Sequence, residues 1–126
     1  MRALLIVGVL LFTAPVGAIP PEPPWLFAHV DVTTPTYLAG WALNCITGQQ
    51  PSAVTLTTSD GTVLSAWIVW RLPRPDVAAA YDPWCGPLKP YLGWHLYPHQ
   101  PLPAGTFTVH ISDGLFSGIE RLATVP

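Results

Sequence analysis

The chain is a series of short segments in which apolar and polar residues alternate, separated by turn signals. Residues 105–112, GTFTVHIS, are the clearest case, because Phe107, Val109 and Ile111 alternate with polar residues. Successive side chains of a β-strand point to opposite faces, so this pattern predicts a strand with one buried face. No segment keeps the 3.6-residue period that an amphipathic helix requires.

Seven segments carry this strand signal. They are residues 26–34, 36–45, 52–58, 62–70, 91–97, 105–112 and 115–123. The pairs Asp60-Gly61 and Asp113-Gly114 follow strand segments and predict tight turns. The segment 62–70 is apolar at both parities, so we expect both of its faces to be covered. Many short strands with frequent turns predict an all-β fold, an antiparallel β-sandwich of about seven strands.

Residues 71–86, RLPRPDVAAAYDPWCG, interrupt the strand pattern. The prolines of this stretch cannot donate the hydrogen bonds of a sheet, so the preceding strand is predicted to end near Trp70. Arg74 lies close enough in sequence to pair with Asp76. We therefore interpret Arg74, Pro75 and Asp76 as a structural corner rather than as a catalytic loop.

A short helical turn is expected directly after the Arg-Pro-Asp triplet. Asp76 is predicted to be the helix N-cap, because its carboxylate can accept hydrogen bonds from the exposed amides of the first turn. Three alanines, which have the highest helix propensity, follow it closely. The predicted turn spans Val77–Tyr81, and Pro83 is expected to end it.

Five stretches match motifs of one protein family in the same order. They are GWALN at 40–44, SDGTVLSA at 59–66, RPDVAAAY at 74–81, LGWHL at 92–96 and LPAGTFTVHISDG at 102–114. Together they resemble bacterial immunoglobulin-like domains over about Phe27–Ala123. The resemblance implies an immunoglobulin-like sandwich on an exported bacterial protein, often a non-catalytic module beside an enzyme or in a cell-surface array. This chain departs from the family pattern at Asn44, where Asp is usual, at Trp94, where Phe is usual, and in its two cysteines.

Residues 1–18 carry the pattern of a secretory signal peptide. Arg2 gives a positive start, residues 3–12 are apolar, and residues 16–18 supply the small side chains of a cleavage site. The alternative is a membrane anchor, but a spanning helix needs about 20 apolar residues, and this stretch is shorter and contains Pro15. We therefore expect a secreted, periplasmic or cell-envelope protein with no membrane span in its mature chain.

The predicted mature chain consists of a leader and one domain. Residues 19–25 are proline-rich, which predicts an extended leader of polyproline type. Residues 26–126 are predicted to form the immunoglobulin-like domain, and the total length of 126 residues suits one domain.

Cys45 and Cys85 are the two cysteines of the chain. An even number of cysteines in an exported domain predicts one disulfide. Two unrelated buried thiols are the alternative. A metal site is disfavoured, because no second ligand lies at a typical metal-binding spacing from either cysteine.

Composition and motifs disfavour nucleic-acid binding and catalysis. Charged residues make up 10% of the chain and the net charge is -2, so the basic surface that nucleic acid requires is missing. No nucleophile elbow, phosphate loop or HExxH motif occurs in the sequence. His95 and His99 are four residues apart, which along a strand separates them by about 13 Å. We predict no enzyme activity, no cofactor and no metal.

The chain contains six tryptophans. Trp41 and Trp94 have the parity of core residues, whereas Trp67, Trp70 and Trp84 are the candidates for a binding site. Exposed tryptophans fill protein interfaces or stack on sugar rings. The structural alternative is that most of them are packed, with Trp84 over the disulfide.

The function predicted from these features is an exported, non-catalytic module. Its role would be protein interaction or structural support at the cell surface. A carbohydrate-binding module that uses exposed tryptophans is the alternative, and a small hydrolase is a more distant one. The expected partner is an extracellular protein or a glycan.

Overall fold

The computed structural model describes residues 24–113 and 118–126. Within these ranges the chain forms eight strands and one helix. The elements are β1 (Leu26–Thr33), β2 (Leu38–Asn44), β3 (Ala53–Thr57), β4 (Val63–Leu64), β5 (Ala66–Leu72), α1 (Pro75–Cys85), β6 (Gly93–Pro98), β7 (Gly105–Ser112) and β8 (Gly118–Val125). The predicted signal peptide and most of the predicted leader lie outside the described residues.

The strands form two antiparallel sheets of four strands each. The first sheet has the order β1-β2-β6-β5, and the second has the order β4-β3-β7-β8. This is the strand order of an immunoglobulin-like sandwich, A-B-E-D against C-F-G, with one added strand beside C. The predicted all-β, immunoglobulin-like antiparallel sandwich is therefore confirmed.

The eighth strand arises because the predicted strand 62–70 is divided at Ser65. Residues Val63–Leu64 pair with β3 in the second sheet, whereas Ala66–Leu72 pairs with β6 in the first. The expectation that both faces of this segment are covered is wrong. Trp67 and Val69 are exposed, while Ile68 and Trp70 pack against the core from the other face of β5.

The core lies between the two sheets and is built from alternate residues of the strands. The central strand pairing requires a glycine, because a Cβ atom at Gly40 would lie 2.2 Å from the His29 carbonyl oxygen and 2.7 Å from Cζ2 of Trp94. Trp94 is fully buried there, as predicted, and its indole Nε1 has no hydrogen-bond partner. Trp41 is half-buried on the opposite face of its sheet, where it packs against a core cluster that includes Leu43 and Leu92.

Helix α1 is longer than the single predicted turn and spans 11 residues. Arg74 is its N-cap and Pro75 its first residue, so Asp76 lies inside the first turn and not at the cap. The pre-set φ of proline favours this first position, where the missing N–H would have no helical partner. Pro83 lies within the last turn and is exposed to solvent, which can hydrate the carbonyl group that loses its helical hydrogen bond.

The predicted disulfide is confirmed. Cys45, just after β2, and Cys85, at the end of α1, are bonded with an S–S distance of 2.01 Å and a Cα–Cα distance of 4.9 Å. Val77 of the helix is buried against Leu43 and Leu92 of the sheet side. The helix therefore lies on the outer face of the first sheet, where it forms a second and smaller core.

Candidate binding face

The outer face of the first sheet is covered over only part of its area. Helix α1 packs near Phe27, Trp41 and Leu43, which lie toward one end of β1 and β2. The other end of this face carries aromatic and aliphatic side chains that the helix does not cover. We call this set the open aromatic face: Tyr37, Trp67, Val69, His95 and Tyr97.

Strand register brings the members of the open aromatic face together. Trp67 of β5 lies directly opposite Tyr97 of β6, and Val69 lies opposite His95. Trp67 is 69% exposed, Tyr97 41% and Val69 36%, so this part of the sheet presents a large apolar area to solvent. Monomeric soluble proteins rarely expose contiguous apolar patches without a function for them.

The rings of this face hold one another in place. Tyr37 stacks on Tyr97 with a centroid distance of 5.9 Å and an interplanar angle of 24°. The rings of Tyr37 and His95 are 5.6 Å apart, and His95 Nδ1 is 3.1 Å from the Tyr97 hydroxyl oxygen. Their rotamers are thus restricted before a partner binds, which lowers the entropic cost of binding.

The tryptophans predicted as binding residues lie in three different places. Trp67 belongs to the open aromatic face. Trp84 is 82% exposed at the end of α1, next to Cys85 rather than packed over the disulfide. Trp70 is half-buried and packs against the sandwich core. Among the described residues no ring contact joins Trp67 to Trp84.

Sequence reasoning missed four members of the open aromatic face, Tyr37, Val69, His95 and Tyr97. The alternation along β6 indicated part of this face, because His95 and Tyr97 alternate with the buried residues Trp94 and Leu96. What parity could not show is how much of the outer face helix α1 covers.

The predicted corner is an ion-paired structural clamp. Arg74 Nε and Nη2 donate to the two carboxylate oxygens of Asp76 at 3.0 and 2.8 Å, and Nη1 donates to Asp31 of β1 at 2.5 Å. The hydrogen bonds from Arg74 hold the pKa of Asp76 at about 2, below its usual value of 3.8. The Arg74 amide also donates to the Pro90 carbonyl at 2.6 Å. The Arg-Pro-Asp triplet therefore joins the start of the helix to the sheet edge.

Asn44 organises the turn that follows β2. This buried side chain accepts hydrogen bonds through Oδ1 from the amides of Ile46 at 2.8 Å and Thr47 at 3.1 Å. Its Nδ2 donates to a carboxylate oxygen of Asp113 at the end of β7. The amide side chain thus links the two sheets at the end of the sandwich that carries Cys45.

A hydroxyl–imidazole–carboxylate array crosses the outer face of the second sheet. Thr57 Oγ1 is 3.0 Å from His110 Nε2, and His110 Nδ1 is 3.0 Å from a carboxylate oxygen of Glu120. Catalytic triads use similar contacts, but they also need an accessible nucleophile and free amides for an oxyanion hole. Thr57 is 8% exposed, and the surrounding amides lie in the ladders of β3, β7 and β8. The contacts of the array therefore link β3, β7 and β8 on this face of the second sheet.

A groove of about 480 Å³ opens at one end of the sandwich. It lies between β4, the loop at 98–103 and β7, and apolar side chains such as Leu64, Leu102 and Phe107 line it. Its lining includes no member of the open aromatic face.

The described residues contain no cluster of three or more side chains that could hold a metal ion. Within the same ranges, no helix combines the length and the apolar character needed to cross a membrane. Comparison with known proteins gave no match, whether to a family model, a curated protein or a solved structure.

Proposed function

We propose that the protein is an exported, non-catalytic immunoglobulin-like module that binds a protein partner through the open aromatic face. The observation that carries the proposal is the exposure of Trp67 beside Tyr97 on the part of the sheet that α1 leaves uncovered. Tryptophan and tyrosine supply much of the binding energy at protein interfaces, because each buries a large area with few rotatable bonds.

Two features support export. Residues 1–18 have the charge, apolar run and small residues of a signal peptide. The disulfide between Cys45 and Cys85 is of a kind that persists in oxidising compartments outside the cytoplasm. The low content of charged residues is compatible with either secretion or the cell envelope.

A carbohydrate is the second candidate ligand, and the exposure of Trp67 and Trp84 favours it. Sugar recognition, however, combines an aromatic plate with precisely placed polar groups. The polar atoms of His95 and Tyr97 face each other at 3.1 Å, and Val69 adds aliphatic surface beside them. Trp67 and Trp84 lie on different elements and form no shared platform. These features favour a protein partner.

The proposal is tested by mapping what binds at the open aromatic face. A photo-crosslinking amino acid at Val69 should capture a specific protein in culture supernatant or cell-envelope fractions. The same label at Leu122, which is 72% exposed on the second sheet, should not capture it. Trp67→Ala with Tyr97→Ala should abolish the capture, and Trp84→Ala should leave it unchanged.

Other outcomes would contradict the proposal. Glycan-array binding that disappears with Trp67→Ala or Trp84→Ala would favour the carbohydrate candidate. Hydrolysis of an ester or glycoside that disappears with His110→Ala would contradict the non-catalytic part.

A further inference from the structure

We infer that two copies of this chain associate by antiparallel pairing of their β5 strands, which joins their first sheets into one continuous sheet. Within residues 24–113 and 118–126, strand β5 ends the order β1-β2-β6-β5 and pairs on one side only. An apolar edge strand with unpaired backbone groups is a template for pairing with another strand.

The other sheet edges among the described residues are protected. Strand β4 contains two residues, which is too short for extended pairing. Strand β1 has a register shift between Val30 and Val32 and carries Asp31. Strand β8 carries Glu120 and Arg121, and Arg121 Nε donates to the Ala28 carbonyl of β1 at 3.0 Å. Short strands, charges and bulges are the usual protections of an edge.

Strand β5 contains no charged side chain over residues 66–70, AWIVW, and its register with β6 is regular from Ala66 to Val69. The register becomes irregular between Val69 and Leu72. Arg71 has a positive φ of 59°, and its amide donates to Gln50 Oε1 at 2.9 Å. The stretch that can pair with another copy is therefore limited to these residues.

One contact shows which backbone groups of β5 point to β6 and which point to the open edge. The His99 amide donates to the Ser65 carbonyl at 3.0 Å, and residue pairs alternate between bonded and non-bonded in an antiparallel ladder. Trp67 and Val69 therefore direct their backbone groups to β6, whereas Ala66 and Ile68 direct theirs to the open edge. Pro98, which has no N–H, lies opposite Ala66 and agrees with this phase.

A two-fold axis at Ile68 would let the edge-facing backbone groups of one copy form hydrogen bonds with those of the second copy. Ile68 then pairs with Ile68 of the second copy, and Ala66 pairs with Trp70. Trp67 lies opposite Val69 of the second copy on the outer face, and the symmetry repeats this contact. Aromatic residues opposite β-branched residues stabilise antiparallel strands.

Such an interface is closed, because the two-fold axis uses the β5 edge of both copies and leaves no β5 edge for a third. The product is a dimer and not a fibre. Its two open aromatic faces would lie side by side on one eight-stranded sheet. The inference depends on the edge strand and not on the proposed function, so either can fail alone.

The test is the oligomeric state of the purified full chain, measured by sedimentation velocity over a range of protein concentrations. The unmodified chain should show a reversible monomer–dimer equilibrium. Ala66→Pro removes an edge-facing N–H without removing a bond to β6, and proline is tolerated on edge strands in this orientation. Loss of two hydrogen bonds per dimer should raise the dissociation constant roughly thirtyfold.

Charge variants test the pairing register between the two β5 strands, and they do not depend on whether the Ala66→Pro variant folds. Trp67→Lys with Val69→Lys places like charges opposite each other in the dimer, and so does the pair Trp67→Glu with Val69→Glu. Each variant should be monomeric alone, and a mixture of the two should form a heterodimer. Trp84→Lys with Leu122→Lys adds the same charge at other exposed sites and should leave the dimer unchanged.

A monomer at all concentrations up to the solubility limit would overturn the inference. A dimer that survives Ala66→Pro and both charge variants, or that the Trp84 and Leu122 control dissociates, would also overturn it.

Discussion

Replacing Asn44 by Asp tests the link between the two sheets with a change of one side-chain group. The variant keeps the shape of the side chain and the oxygen that accepts from the Ile46 and Thr47 amides. It exchanges the amide that donates to Asp113 for a second carboxylate oxygen. The residue at 44 is 3% exposed, so water cannot replace the lost donor easily.

The expected cost has two parts. A hydrogen bond to a charged acceptor contributes about 1.5–3 kcal/mol. Two unit charges about 4 Å apart repel by about 4 kcal/mol at an effective dielectric constant of 20, and uptake of a proton by the pair limits this repulsion. We therefore expect Asn44→Asp to lower the free energy of unfolding by about 3–5 kcal/mol at neutral pH.

The loss should depend on pH in a defined direction. Repulsion raises the pKa of the carboxyl pair in the folded variant above its value in the unfolded chain. The folded variant therefore binds protons more tightly than the unfolded chain does. The loss in free energy of unfolding, relative to the unmodified chain, grows as pH rises from the pKa of the unfolded chain to the pKa of the folded variant. The deficit should shrink toward pH 4.

Urea unfolding followed by tryptophan fluorescence, at pH 4 and at pH 7, measures both effects. Asp113→Asn is the matched control, and the double variant Asn44→Asp with Asp113→Asn reverses the direction of the hydrogen bond. The double variant should recover most of the stability that Asn44→Asp loses. A loss below about 1 kcal/mol at pH 7, or a double variant no more stable than Asn44→Asp alone, would refute the reasoning.

Three further predictions concern the helix clamp and the central strands. Cys45→Ala with Cys85→Ala should lower the free energy of unfolding by about 4 kcal/mol, because the bridge spans 40 residues; equal urea midpoints for the oxidised and reduced unmodified chain would contradict this. Arg74→Met should return the pKa of Asp76 from about 2 toward 3.8 in an NMR titration. It should also remove a stabilisation that is present above pH 4 and lost as pH falls toward 2. An unchanged pKa of Asp76 would exclude the clamp. Gly40→Ala should destabilise by about 3 kcal/mol or more in the same urea assay, since its methyl group would meet a backbone carbonyl at 2.2 Å, and a stability close to that of the unmodified chain would contradict the packing.

The parts of the fold that sequence predicted well are those in which one strand face is buried and the other is polar. Residues 105–112 alternate cleanly because β7 is a central strand whose inner face is buried and whose outer face carries polar side chains that are exposed or half-buried. The segment 62–70 is apolar at both parities, so alternation could not show that the chain crosses between sheets at Ser65. It also could not show that Trp67 faces solvent.

The helix clamp and the open aromatic face could be predicted only in part, because both depend on long-range contacts. The pairing of Arg74 with Asp76 is local and could be predicted, whereas its contact with Asp31 spans 43 positions. The cap position was wrong because proline at the first helical residue outweighed the capping preference of Asp76. Tyr37 joins the open aromatic face only through the pairing of β2 with β6.

Strands β1 and β8 run in the same direction along the side of the sandwich, joined by the contact from Arg121 to Ala28. The chain enters the domain at one end of β1 and leaves it at the far end of β8. Tension applied through the two chain ends would therefore slide these strands past each other. Contacts between strands that slide in this way must break all at once and not one after another. Forced extension should therefore meet its main barrier between β1 and β8.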